Sequence, residues 1–222
     1  MPHPAIIKSS FPELAKFVTS CHAVVRGIVS SLNKSLNLPP GLLESMHELN
    51  NQSCDQARLT HAKPSNQGLT TSLGEHTDFG SVTVLFNQLG GLQALAPNKK
   101  DWEFVLPRPD LAVINLGDSL IQLVGSKLYS AVHRVCAPPK PQNEMERYSV
   151  VYFSRPNSSV KLRSLFEYPT DSAVEMAERE TGRQFLSADA WVERRAKNWN
   201  VKQYQDEDSY KLSRGTEHNR DA

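Results

Sequence analysis

The feature that most constrains this chain is a block of short β-prone runs. It begins near residue 57 and is cut at close intervals by Gly, Pro and Asn. Residues 81–86, 91–96, 102–106, 111–116, 129–135 and 148–153 read as strands, and 57–61 and 160–165 as weaker ones. The turn signals between them are Leu89-Gly90-Gly91, Pro97-Asn98, residues 107–110 and residues 138–143. Many short strands at this spacing predict a sandwich or jelly roll.

Ahead of the block, residues 12–49 predict helix. Leu14, Phe17, Val18, Cys21, Val24, Val25, Ile28, Val29, Leu32 and Leu36 recur at spacings of three and four, which is one apolar stripe. Pro12 suits a first turn, Pro39-Pro40 stops the helix, and residues 41–49 read as a second short one. Residues 188–201 predict a further helix with Ser187 or Asp189 as N-cap, and the last twenty residues are polar and expected to fray. Helices followed by strands as a block argue for an α+β fold rather than alternating βαβ units. The expected organisation is one domain. Residues 1–56 form a helical packing layer, 57–166 the β core, and 167–222 a helix and polar tail.

The 222 residues, 39% of them hydrophobic, can bury one substantial core. Lys and Arg number 25 against 24 Asp and Glu, so no strong field favours nucleic acid or a membrane surface, and a small-molecule partner is expected. Cys21, Cys54 and Cys136 are far apart and form no CxxC pair, which predicts reduced thiols in a cytoplasmic protein. No run is apolar for long enough to span a membrane, and residues 1–10 lack the pattern of a secretory signal. Without GxGxxG or a P-loop, a dinucleotide or ATP site has no support.

Chemistry concentrates in Gly74-Glu75-His76-Thr77-Asp78-Phe79-Gly80. In extended backbone His76 and Asp78 point to one side, so an imidazole and a carboxylate can reach one metal. Alone, His-x-Asp is common, and most instances are a surface histidine near a surface aspartate. His133 in a strand-like run adds a second imidazole. The three residues then fit a 2-His-1-carboxylate facial triad, which leaves three positions of an octahedral ion open for a 2-oxo acid and O2. Arg147 and Ser149, again two apart, offer a guanidinium fork and a hydroxyl to a carboxylate. Phe79, Gln93 and Leu95 are candidates for lining the substrate pocket.

Together, His76-Thr77-Asp78, His133 and Arg147-Tyr148-Ser149 resemble the 2-oxoglutarate- and iron(II)-dependent dioxygenase superfamily, and more narrowly its isopenicillin N synthase-like branch. Gly90-Gly91-Leu92-Gln93, 113–118 and 130–135 extend the likeness, which covers about residues 57–165 and is nearest to fungal members, many of them in secondary metabolism. The resemblance implies a double-stranded β-helix with Fe(II) on His76, Asp78 and His133, and 2-oxoglutarate as co-substrate with its distal carboxylate on Arg147 and Ser149. It further implies consumption of O2 and hydroxylation of a small molecule, with desaturation or ring expansion as variants. Ala62 stands where many plant members have a tyrosine near the oxo acid. Family members also carry a sizeable segment ahead of the helical region. With this sequence starting later, exposed apolar surface, self-association and weak turnover are expected. The rival readings are a zinc hydrolase on the same three ligands and a shortened member that binds without turning over.

Overall fold

The computed structural model describes residues 5–64, 71–96 and 100–197. The turn signal at Pro97-Asn98, the end of the C-terminal helix and the polar tail lie outside these residues. Among the described residues, eight strands build the core. They are β1 (Gln56–Ala62), β2 (Thr71–His76), β3 (Val82–Asn87), β4 (Leu92–Leu95), β5 (Trp102–Phe104), β6 (Val113–Leu116), β7 (His133–Cys136) and β8 (Arg147–Ser154). They form two four-stranded antiparallel sheets in the orders β1-β8-β3-β6 and β2-β7-β4-β5. Apart from the β4–β5 hairpin, consecutive strands of the chain go to opposite sheets, which is the double-stranded β-helix arrangement of a jelly roll. With six helices around it among the described residues, the fold is α+β, as the order of elements predicts.

The largest apolar cluster lies outside the barrel. Helices α1 (Ala5–Ser9) and α2 (Phe11–Ser35) lead the chain, and α2 lays Cys21, Val25 and Val29 over Val82, Val84 and Tyr152, which occupy the outer face of the first sheet. Helices α4 (Asp118–Val124) and α6 (Ala188–Lys197) complete the cluster with Leu120, Leu123, Val124 and Trp191. The apolar stripe of α2 is therefore its buried face, except that Val24 is 48% exposed.

Several boundaries differ from expectation, each for a local reason. Helix α2 ends at Ser35, before the prolines, because Asn37 turns left-handed at φ +54°. The buried Asn33 side chain holds that turn: its amide donates to Leu38 O and Pro39 O at 3.3 and 2.9 Å, and its oxygen accepts from Leu43 N at 3.0 Å. The second helix is only α3 (Leu42–Ser45). Residues 160–165 are not a strand; beyond one bridge from Lys161 to Ser187 they bury Leu162 and Leu165 as loop. The run 129–135 becomes regular only at His133. Helix α5 (Asp171–Thr181), capped by the Thr170 hydroxyl and ended by Gly182 at φ +70°, was not expected. At α6 it is Ser187 whose hydroxyl caps, accepting from Ala190 N at 3.3 Å.

His47, just after α3, pins this helical layer to the barrel. Its Nδ1 donates to Leu43 O and its Nε2 accepts from Ser81 Oγ, both at 2.7 Å. Burial pushes the imidazole below its ordinary value, against smaller opposing effects of the Leu43 carbonyl and Asp55. Burial lowers His22 likewise. The unfolded chain then binds more protons than the folded one just below about pH 6.5. Stability from these groups is complete above that pH and falls on acidification, by up to about 1.4 kcal/mol per pH unit for each histidine. Melting temperature should drop between pH 7 and 5.5, and His47→Gln should show a shallower slope. An unchanged slope in that variant would discard the assignment.

Candidate metal centre

His76 is the last residue of β2, and His133 the first of β7, its register partner. Asp78 follows two residues later on the loop into β3. Glycines let that loop pass close to its neighbours. A Cβ on Gly80 would overlap the Ser154 carbonyl oxygen, and one on Gly117 would overlap the Gly80 carbonyl oxygen. The result brings the three predicted side chains together. One donor atom from each of His76, Asp78 and His133 lies within 4.8 Å of the others, with all three residues buried or half-buried.

The hydrogen bonds assign each atom. His76 Nδ1 faces Gly74 O at 2.7 Å and His133 Nδ1 faces Ala131 O at 3.0 Å. A carbonyl can only accept, so both Nδ1 atoms carry the proton and both Nε2 lone pairs are left for a cation. These Nε2 atoms stand 4.0 and 3.8 Å from Asp78 Oδ1. The other oxygen, Oδ2, is taken: Thr83 Oγ1 donates at 2.6 Å and Asn115 Nδ2 at 2.7 Å. Burial alone pushes the Asp78 carboxyl up, but His133, the Asn115 and Thr83 donors and His76 together outweigh it and hold it below the usual range. Two neutral imidazoles and one ionised oxygen, each oriented from behind, are a donor set that fits a divalent iron.

Thr83 and Asn115 are functional residues that the sequence reading missed. They face each other in the β3–β6 register, so one position on each strand reaches Asp78. The run 113–118 belongs to the family likeness, but nothing in it marks Asn115 without that register.

Arg147 and Ser149 share the inner face of β8 and are both buried, as their spacing predicts. Ser149 Oγ meets Thr60 Oγ1 of β1 at 2.5 Å. Arg147 Nε donates to Gly90 O at 2.8 Å. Its side chain lines a cavity of about 50 Å³ with Ala62, Ser72 and Met145. Ala62 pairs with Arg147 across the β1–β8 register, where its small side chain leaves room on that rung.

The expected pocket lining needs correction. Ala94 pairs with His133, and Leu92 with Val135, so Leu92 and Ala94 share the inner face. Gln93 and Leu95 take the opposite face, where Arg134 Nε donates to Gln93 Oε1 at 2.8 Å and stacks on Trp102. The Phe79 ring lies beneath the Arg195 guanidinium of α6, at 4.5 Å.

Residues 50–156 match the family model of the 2OG-Fe(II) oxygenase superfamily. The chain is 36% identical over 165 residues to the 2-oxoglutarate-dependent dioxygenase iboH of Amanita muscaria, covering 73% of this chain and 80% of that one. It spans about half the length of other curated fungal dioxygenases that it matches. Among solved structures, a Neurospora crassa protein in complex with alpha-KG superposes with a TM-score of 0.66 at 25% identity, over 82% of this chain and 60% of that one. A 2OG-Fe(II) oxygenase family protein of Caulobacter crescentus shares the fold at a TM-score of 0.71 and 24% identity, over 90% and 62% of the two chains.

Proposed function

Because the chain belongs to the 2OG-Fe(II) oxygenase superfamily, we propose that it is a 2-oxoglutarate-dependent iron(II) oxygenase that hydroxylates or desaturates a small organic molecule in secondary metabolism. The observation that carries this reading is the convergence of two unprotonated imidazole nitrogens on the one oxygen of Asp78 that Thr83 and Asn115 leave free. Iron(II) would be held by His76 Nε2, His133 Nε2 and Asp78 Oδ1, and with 2-oxoglutarate and O2 it supplies the oxidising power that protein side chains lack.

The remaining work falls to the chain's own residues. Gly74 O and Ala131 O fix the imidazole tautomers. Asn115 and Thr83 fix the carboxylate rotamer. Arg147 offers its fork, and Ser149 with Thr60 a pair of hydroxyls, to the distal carboxylate of the oxo acid. On this reading 57–166 carry the chemistry, while the described residues of 1–56 and of 167–222 pack around them. A cytoplasmic setting agrees with three free thiols, and no helix among the described residues is long and apolar enough to cross a membrane.

The test needs no knowledge of the substrate. Anaerobic addition of iron(II) and 2-oxoglutarate should give the weak visible charge-transfer band of the chelate. Arg147→Ala should raise the 2-oxoglutarate requirement by about tenfold or more while iron stays bound, and Arg147→Lys should recover part of it. Absence of the band in the parent chain would refute the oxygenase reading. An unchanged 2-oxoglutarate requirement in both variants would release Arg147 from its role.

Self-association belongs to the same proposal. Leu59, Val150 and Phe86 form one rung of the outer face, and Leu59 and Phe86 are 57% and 41% exposed, although Phe86 meets Phe17 of α2 edge-on at 5.9 Å. Contiguous apolar surface of this kind marks an interaction site. Light scattering behind size exclusion should give a mass above the monomer, and Leu59→Lys should lower it; a monomer at all concentrations would end this part of the reading.

A further inference from the structure

The inner face of β8 continues past Ser149 through Val151 and Phe153 to Arg155, at the end of the barrel that holds the metal loop. The levels follow from register: Phe153 pairs with Thr83, whose hydroxyl reaches Asp78. Arg155 Cγ lies 3.0 Å from where a Cβ on Gly80 would stand, so the side chain runs directly behind the loop.

Arg155 is a buried cation with no anion of its own. It is 8% exposed, and its enclosed Nε has no hydrogen-bond partner. Among the described residues no carboxylate forms an ion pair with its guanidinium. Asp55, whose charge reaches the guanidinium, gives both oxygens to other donors: Oδ1 accepts from the Arg155 backbone N–H at 2.8 Å, and Oδ2 accepts from the Tyr152 hydroxyl. Burial depresses the guanidinium below its ordinary value and Arg58 adds to that, while Cys54, Asp55 and Asp78 oppose it. An arginine stays charged in any case, and a buried charge without a partner is among the costliest features a fold can keep.

A second guanidinium faces the same place. Arg58 lies on the inner side of β1, two residues from Thr60, and its guanidinium carbon is 5.2 Å from the centroid of the Phe153 ring. Arg155 approaches the same ring at 5.9 Å. Arg58 is exposed, and its one printed hydrogen bond goes to the neutral Gln56 Oε1 at 3.2 Å. Two like charges gathered around one phenyl ring, neither ion-paired to an acid among the described residues, describe a candidate anion site.

We propose that Arg155, assisted by Arg58, anchors a carboxylate of the prime substrate, and hence that this oxygenase acts on a small carboxylic acid. The inference deepens the oxygenase reading and rests on it. The forks suit a planar carboxylate. A dianionic phosphoryl group is disfavoured by the nearby Asp78 carboxylate. The anchor is separate from Arg147 and Ser149, which lie at the other end of β8, so substrate and 2-oxoglutarate each have their own cation.

The test loads the full chain anaerobically with iron(II) and 2-oxoglutarate and titrates a panel of aliphatic, aromatic and amino acids. Each acid is paired with its primary amide. Binding is read by the shift of the chelate band and by calorimetry, the latter with and without iron. At least one acid should bind at least tenfold more tightly than its amide. Arg155→Gln should weaken that acid at least tenfold, Arg155→Lys less, and the exposed Arg58→Gln by a smaller factor without endangering the fold. A panel in which no acid binds, in which acids and amides bind alike, or in which Arg155→Lys and Arg58→Gln leave acid binding unchanged overturns the proposal. Failure of the chelate band before any acid is added counts instead against the oxygenase reading.

Discussion

Asp78→Ala should abolish stoichiometric iron binding, measured by metal analysis after anaerobic gel filtration. The oxygen it removes, Oδ1, is the one charged donor among the three groups, and both imidazole nitrogens face it at 3.8 and 4.0 Å. Without it two neutral imidazoles are left, a pair with no charge to offset that of a divalent ion. His76→Ala should be nearly as severe, since it leaves only His133 of β7 and Asp78 of the β2–β3 loop as donors of the candidate site. The residues behind the carboxylate give a graded control. Asn115→Ala and Thr83→Val each remove one donor from Asp78 Oδ2 and free the carboxylate to rotate, so iron affinity should fall by about 10- to 100-fold rather than vanish. Full iron occupancy in Asp78→Ala would refute the ligand assignment. Equal losses in Asp78→Ala and Asn115→Ala would mean that the site had collapsed as a whole.

What could be read in advance was whatever rests on local period. The stripe of α2 and the central strands β3 and β8 carry enough apolar residues at the right spacing to announce themselves. Strand β2 does not, because only Leu73 of its first five residues is half-buried and its register with β7 is irregular. Helix α5 was missed because it buries only Val174 and Ala177, too little for a stripe. Helix α4 was missed because its apolar run follows β6 with only Gly117 and Asp118 as punctuation. At the site, His76, Asp78 and His133 were legible as residue types that water-facing loops seldom combine with Arg147 and Ser149 in this order. The residues that position them were not. Alternation along β4 is visible in the sequence, but which parity faces inward depends on pairing with β7, and this is why Gln93 and Leu95 were assigned to the wrong face. Thr83 and Asn115 depend on register in the same way, and Arg195 on a pairing with Asp118, 77 residues away in sequence.

Arg195→Met should destabilise the protein by about 3–5 kcal/mol, seen as a loss of roughly 10 °C or more in melting temperature. Arg195 of α6 is 1% exposed, and its Nη1 lies 2.6 Å from Asp118 Oδ2, a carboxylate with no exposure at all. Removing the cation leaves that charge buried with the Thr77 hydroxyl, which donates to the same oxygen at 2.8 Å, as a far weaker partner. The damage should reach the iron, because the pair grips the metal loop. Arg195 Nη2 donates to Thr77 O at 3.2 Å, Asp118 N donates to Asp78 O at 2.8 Å, and Trp191 of the same helix donates to Phe79 O at 2.9 Å. Thr77 stands between two proposed ligands, so slack at that residue separates His76 from Asp78 without touching either. Iron affinity should therefore fall by about 10- to 100-fold in the variant that still folds. The double variant Asp118→Leu/Arg195→Met replaces the ion pair with apolar volume and should regain most of the lost melting temperature. It cannot restore the hydrogen bond to Thr77 O, so its iron affinity should stay low. Recovery of both quantities together would show that the pair serves stability alone and that the loop holds its shape without α6.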